Sequence, residues 1–173
     1  SILKKKYNVL CTEGNLNNHI GVPMTLFKLR KSHDVAIIEM GMNHTGEIAY
    51  LCSVAEPTHG MITNVGKAHL EYFRSVKKIA EAKGELFSWL SQDTTRIGFV
   101  NMDDEYLATQ SKKLGKKITF GISNKRADVQ GSLISMSKNV YPTISIKTKE
   151  LKLPITARLH VAGEHQTINA TAA

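Results

Sequence analysis

Along the first two thirds of the chain, short apolar runs alternate with longer amphipathic ones. Tyr7 to Thr12 is followed by Pro23 to Arg30, Val35 to Gly41 by Gly46 to Ala55, and Gly60 to Val65 by Ser75 to Leu90. Arg96 to Asn101, Asp103 to Leu114 and Lys117 to Ile122 continue the series. Strand and helix in turn predict an α/β fold, a mostly parallel sheet flanked by helices. Val35-Ala-Ile-Ile-Glu-Met and Met61-Ile-Thr-Asn-Val are nearly continuous in apolar residues, as expected of strands buried on both faces. Ligands of such sheets gather at the carboxyl ends of the strands.

From Asp128 the texture changes to alternation, in Val129 to Met136, Thr143 to Lys147 and Leu151 to Ile155, with Lys138-Asn139 as a turn. These segments predict a small antiparallel accessory sheet on the same core. A helical pattern after Gly163 stops at Ala173, short of an ordinary helix end, so the chain is expected to be cut there. The 173 residues suit one domain: a parallel core over 1–127, accessory strands over 128–162 and the start of a helix over 163–173.

The stretch Ser75 to Leu90 carries an anomaly. Val76, Ile79, Ala80, Phe87 and Leu90 define one apolar stripe, and Lys83 stands in the middle of it. Either its stem snorkels along the edge or the ammonium serves a function. Glu39, near the carboxyl end of an apolar strand, either pairs with a lysine or offers an oxygen to a hard cation such as Mg²⁺. His69 is expected on a loop at the same edge of the sheet, and three polar residues at neighbouring strand ends favour a joint functional reading. Gly60 and Gly66-Lys67-Ala68 only imitate a phosphate-binding loop, because the glycine spacing is wrong and Ala68 replaces the metal-binding hydroxyl. His165 and Asn169 are four residues apart and share a face if helical; the Asn169 amide could then read a purine edge.

Composition narrows the partners. The formal charge of +8 permits an anionic ligand, but the lysines are scattered and lack the aromatic interleaving of an RNA-binding sheet. A basic nucleotide- or nucleic-acid-binding module without catalysis is the competing class. Cys11 and Cys52 form no metal pattern and are expected as reduced thiols. No run approaches the ~20 apolar residues that cross a bilayer, and Ser1 to Tyr7 lacks the apolar segment of a signal peptide. A cytoplasmic protein with no membrane partner is the expectation.

Six segments, in order, resemble consecutive motifs of the Mur ligase family. They are Gly14-Asn-Leu-Asn-Asn-His-Ile-Gly-Val-Pro-Met-Thr-Leu, Ile38-Glu-Met-Gly-Met-Asn-His-Thr-Gly-Glu-Ile, Ile62-Thr-Asn-Val-Gly-Lys-Ala-His-Leu-Glu, Ile79-Ala-Glu-Ala-Lys-Gly-Glu-Leu-Phe, Asn101-Met-Asp-Asp and Gly163-Glu-His-Gln-Thr-Ile-Asn-Ala. The motif with Glu39 and His44 favours the branch that joins D-alanyl-D-alanine to UDP-N-acetylmuramoyl-tripeptide. The resemblance implies a P-loop NTPase-like central ATP-binding domain without its first strand and phosphate loop. It implies ATP and Mg²⁺ as cofactors, with Glu39, His69 and a CO₂-carbamylated Lys83 as metal ligands and catalytic groups. Asn169 and His165 match the adenine-contacting motif, which usually has Asn where this chain has Gln166. Asn17 and Asn18 match the motif lining the muramyl-substrate side.

The implied chemistry is ATP-driven amide formation through an acyl phosphate, in peptidoglycan synthesis. A chain lacking the phosphate loop is expected to be inactive alone, and the sheet surface left by a missing strand could drive self-association.

Overall fold

The computed structural model describes residues 2–66, 70–73 and 75–173, with Leu70 and Glu71 through their backbone only. Strand β1 (Val9–Cys11) pairs in parallel with β2 (Val35–Ile37) as a two-stranded sheet. Helix α1 (Gly21–Leu26) connects them, and α2 (Glu47–Ala55) follows β2. A second sheet runs in simple sequence order from β3 (His59–Ile62) through β4 (Ile97–Asn101), β5 (Lys116–Gly121) and β6 (Val129–Met136) to β7 (Pro142–Thr148) and β8 (Ile155–Arg158). Its first four strands are parallel, and β7 and β8 turn back antiparallel.

Helices α3 (Leu70–Phe73), α4 (Val76–Lys83) and α5 (Glu85–Leu90) cross between β3 and β4; α6 (Glu105–Gln110) connects β4 to β5. Helix α7 (Gln166–Ala172) packs on β5, β6 and β7. Two of these helices start where a side-chain oxygen meets the first free amides. Ser75 Oγ accepts from Lys78 N, and Asp104 Oδ1 accepts from Tyr106 N and Leu107 N. Leu51, Cys52, Ile79, Ala80, Phe87 and Leu90 from α2, α4 and α5 close over Val100 and Leu107 to form the core. Burial drives the Cys52 thiol up to about 12, so it packs as a small apolar group rather than a nucleophile. Cys11 and Cys52 are both free thiols.

Three expectations need correction. The single helix expected over Ser75 to Leu90 is divided at Gly84 into α4 and α5; the Gln110 side chain from α6 lies where a Cβ at Gly84 would stand, and its amide donates to the Ala80 carbonyl. The alternating segments do pair antiparallel in succession on the same core, as β6 with β7 and β7 with β8. Strand β6 pairs in parallel with β5 through Phe120 and Gly121 and extends the core sheet, and the last strand is Ile155–Arg158 rather than Leu151 to Ile155. Nor are the apolar runs of β2 and β3 buried on both faces: Ile37 is 40% exposed and Met61 41%. Among the described residues β2 pairs only with β1 and β3 only with β4, so each lies at a sheet edge.

Candidate functional site

Two of the residues singled out from the sequence meet strand ends: Glu39 follows the carboxyl end of β2, and Lys83 reaches the carboxyl end of β3. Just past β2, the Glu39 N–H donates to Thr12 Oγ1 (2.8 Å), and Asn17 Nδ2 donates to Glu39 Oε1 (2.8 Å). Asn17 also accepts the Gly41 N–H on its backbone carbonyl (2.7 Å), and its side chain lies against Gly41. Glu39 is therefore an exposed carboxylate oriented by an amide on Oε1, with no hydrogen bond on its second oxygen among the described residues. Asn18 Oδ1 accepts from Ile20 N and Gly21 N and so organises the start of α1. Both asparagines are thus engaged inside the chain.

Lys83 is the last residue of α4 and turns toward the carboxyl end of β3, where Nζ donates to the Asn64 carbonyl (2.9 Å). Burial lowers its pKa from the ordinary lysine value, and the charge of Asp104 partly opposes that. A depressed lysine exposes more of the neutral, nucleophilic amine. Glu39 and Lys83 are not hydrogen-bonded to each other, and His69 lies outside the described residues. Among the described residues no three His, Cys, Asp or Glu side chains form a ready metal cage.

Two further acids were not legible as part of this region. Glu85, at the start of α5, accepts from Gly46 N (2.7 Å) and Ala49 N (2.9 Å), placing a carboxylate on the amino terminus of α2. Asp104 caps α6 with one oxygen and accepts the Val65 N–H with the other (2.8 Å). Asn101 assists by donating to the Thr63 carbonyl (2.7 Å). The only sequence signal for either was membership of a quoted motif, since the contacts join segments far apart in the chain. Beside this region, Asn43, His44, Thr45, Tyr72, Phe73 and Lys78 line an open pocket of about 320 Å³. Two of the lining residues are held by Glu47, which accepts from the backbone N–H groups of Asn43 and His44 and bonds the His44 ring.

On α7, Asn169 donates to Gln166 Oε1 (3.1 Å), and Gln166 contacts His165 Nε2 (2.9 Å). The three form one polar chain at the amino-terminal end of the helix. Lys125, Arg126, Lys147 and Lys149, distant in sequence, share a basic pocket of about 350 Å³ with Asp128 at the opposite end of β6 and β7. The charge is thus less scattered in space than along the chain.

The whole chain, residues 1–173, matches the family described as Mur ligase middle domain. The chain belongs to the Mur ligase family. Over its full length it is 36% identical to the Escherichia coli UDP-N-acetylmuramoyl-tripeptide--D-alanyl-D-alanine ligase, of which it covers 38%. Its fold is similar to a MurF crystal structure from Acinetobacter baumannii, with a TM-score of 0.87, 33% identity, and coverage of 99% of this chain and 36% of that one. MurF from Thermotoga maritima in complex with ADP superposes with a TM-score of 0.82 at 26% identity, over 98% of this chain and 38% of that one. The Mur ligase middle domain thus spans well under half the length of the curated relatives it matches. The α/β architecture with a mixed sheet agrees with those structures, and the described residues include no helix long and apolar enough to cross a membrane.

Proposed function

We propose that this chain works as the ATP- and metal-binding middle domain of a cytoplasmic ligase that joins D-alanyl-D-alanine to UDP-N-acetylmuramoyl-tripeptide in peptidoglycan synthesis. The observation that carries the reading is Lys83. A lysine on the apolar stripe of α4 is turned to a strand's carboxyl end, where its charge is disfavoured by burial. Such a residue suits conversion to a carbamate: the neutral amine adds to CO₂, a C–N bond forms, and one proton leaves. The product is an anionic oxygen donor.

Glu39, oriented by Asn17, supplies the second carboxylate, and His69 is assigned to the same set by family motif. Such oxygen donors fit Mg²⁺, which when bound would neutralise charge on the phosphates of ATP. Asn169 and His165, joined through Gln166, offer amide and imidazole groups to the adenine edge. Asn17 and Asn18 belong to the muramyl-substrate side, where their visible work is to aim Glu39 and start α1.

In the reaction, the tripeptide carboxylate attacks the γ-phosphorus of ATP, giving an acyl phosphate and ADP. The D-alanyl-D-alanine amine then attacks the acyl carbon, phosphate leaves, and a proton is lost. The chain alone carries no phosphate-binding loop of GxxGKT type, so catalysis is assigned to the intact ligase and not to this domain by itself. A ¹³C spectrum of the protein in ¹³C-bicarbonate tests the central residue. A carbamate signal is expected in wild type and absent from Lys83→Met; a spectrum without that signal, with or without Mg²⁺ and ADP, refutes the carbamate.

A further inference from the structure

The bonds of Lys83 and Asp104 end on one and the same peptide unit. Lys83 Nζ donates to the Asn64 carbonyl (2.9 Å), and the Val65 N–H on that same carbonyl carbon donates to Asp104 Oδ2 (2.8 Å). In a trans peptide C=O and N–H point to opposite sides, so an ammonium and a carboxylate grip the unit from both sides. The two side chains make no ion pair with each other. Their link runs through the peptide.

Capping α6 does not require this arrangement. Oδ1 alone accepts from Tyr106 N and Leu107 N, a task that Ser or Asn performs as well. The second carboxylate oxygen is the part that reaches across 39 residues of chain to the loop leaving β3. One residue before the gripped peptide, Asn101 anchors the Thr63 carbonyl from β4. The loop is therefore held by β4 and α6, and Lys83 takes its position from the loop. A carbonyl that accepts from a cation polarises its peptide and makes the attached N–H a better donor, so the two bonds reinforce each other.

We propose that Asp104 is a positioning residue for Lys83: it fixes the Asn64–Val65 peptide, and that peptide's carbonyl fixes the Lys83 amine at the carboxyl end of β3. The proposal rests on reading Lys83 as an active-site group.

Amide hydrogen exchange at Val65 tests it in wild type, Asp104→Asn, Lys83→Met and the double variant. Asn keeps an oxygen for the cap but turns an NH₂ toward the Val65 N–H. Exchange at Tyr106 and Leu107 should hold while exchange at Val65 rises about tenfold, as for removal of one hydrogen bond to a charged group. Lys83→Met should also speed Val65, and the double variant should rise by less than the product of the two single factors, because both remove the same reinforced pair. Factors that simply multiply, or a Val65 rate indifferent to Asp104→Asn, overturn the proposal.

In the intact ligase, Asp104→Asn should lower kcat about tenfold or more, with the KM for ATP within about twofold, as when a catalytic group is misplaced while substrate binding is kept. An unchanged kcat overturns the positioning role. Should Lys83→Met itself leave ligation intact, the active-site reading of Lys83 falls, while the exchange data still decide whether the peptide is gripped from both sides.

Discussion

Gly131→Ala separates the docking of α7 from the rest of the fold. A Cβ at Gly131 in β6 would overlap Thr171 Oγ1 and come to 3.0 Å from the Thr171 Cβ and Cγ2 atoms. Thr171 cannot simply rotate away. It is 4% exposed, and its hydroxyl donates to the Thr167 carbonyl (2.7 Å) inside the helix. The added methyl must push α7 off the sheet, an overpacking cost of ~1–3 kcal/mol. At roughly 2–4 °C per kcal/mol for a domain of this size, the melting temperature should fall by about 2–12 °C. Ordinary strand propensity argues the other way, since Ala in place of a strand glycine gains roughly 0.5–1 kcal/mol. The sign of the shift is therefore diagnostic. Calorimetry measures the melting, and amide exchange along 166–172 locates the damage. Thr171→Ala added to Gly131→Ala removes two of the three clashing atoms and should recover part of the loss. An unchanged or higher melting temperature, or faster exchange spread evenly over the core, would refute the packing argument.

Two further outcomes follow from charge. The Asp128 carboxyl is held below its usual range, first by the Thr119 hydroxyl, then by the Thr119 backbone N–H, with Lys149 adding less. A depressed carboxyl contributes stability that is present above the unfolded value and lost as pH falls through the folded one. The stability gap between wild type and Asp128→Asn should therefore shrink as pH falls from about 5 toward 2, and a gap constant over that range would contradict the assignment. Lys83 has the opposite behaviour: burial lowers its pKa, so the charged form costs stability at neutral pH, and that cost fades as pH rises toward the ordinary lysine value. Lys83→Met should melt higher than wild type at pH 7, by the ~0.5–2 kcal/mol typical when a functional group is traded for stability. A lower melting temperature at pH 7 would show that Lys83 is held for structure.

Much of this architecture is visible in the order of residues. Strand and helix alternate where the apolar runs do, β6 has the bounds its alternation marks, and the turn at Lys138-Asn139 joins it to β7. Lys83 stands out because periodicity places it on a buried stripe, and the fold does turn it inward. What periodicity misses is set by contacts between distant segments. Gln110 packs from α6 against Gly84, where the helix divides, and the edges of β2 and β3 lie open because neither strand has a second neighbour among the described residues. An apolar run shows that a strand could be covered on both faces, not that a partner is present. Asp104 falls in a family motif, but its partner is not legible in the sequence for the same reason, since the amide it accepts from belongs to Val65.

The most direct test is ligation by the intact protein that carries this domain, with mass spectrometry following transfer of D-alanyl-D-alanine to UDP-N-acetylmuramoyl-tripeptide in the presence of ATP and Mg²⁺. The expected result is an extended peptide with stoichiometric release of ADP and phosphate, abolished by Lys83→Met and strongly reduced by Glu39→Gln. Full activity in both variants, or no transfer of the dipeptide by the unaltered protein, would contradict the assignment.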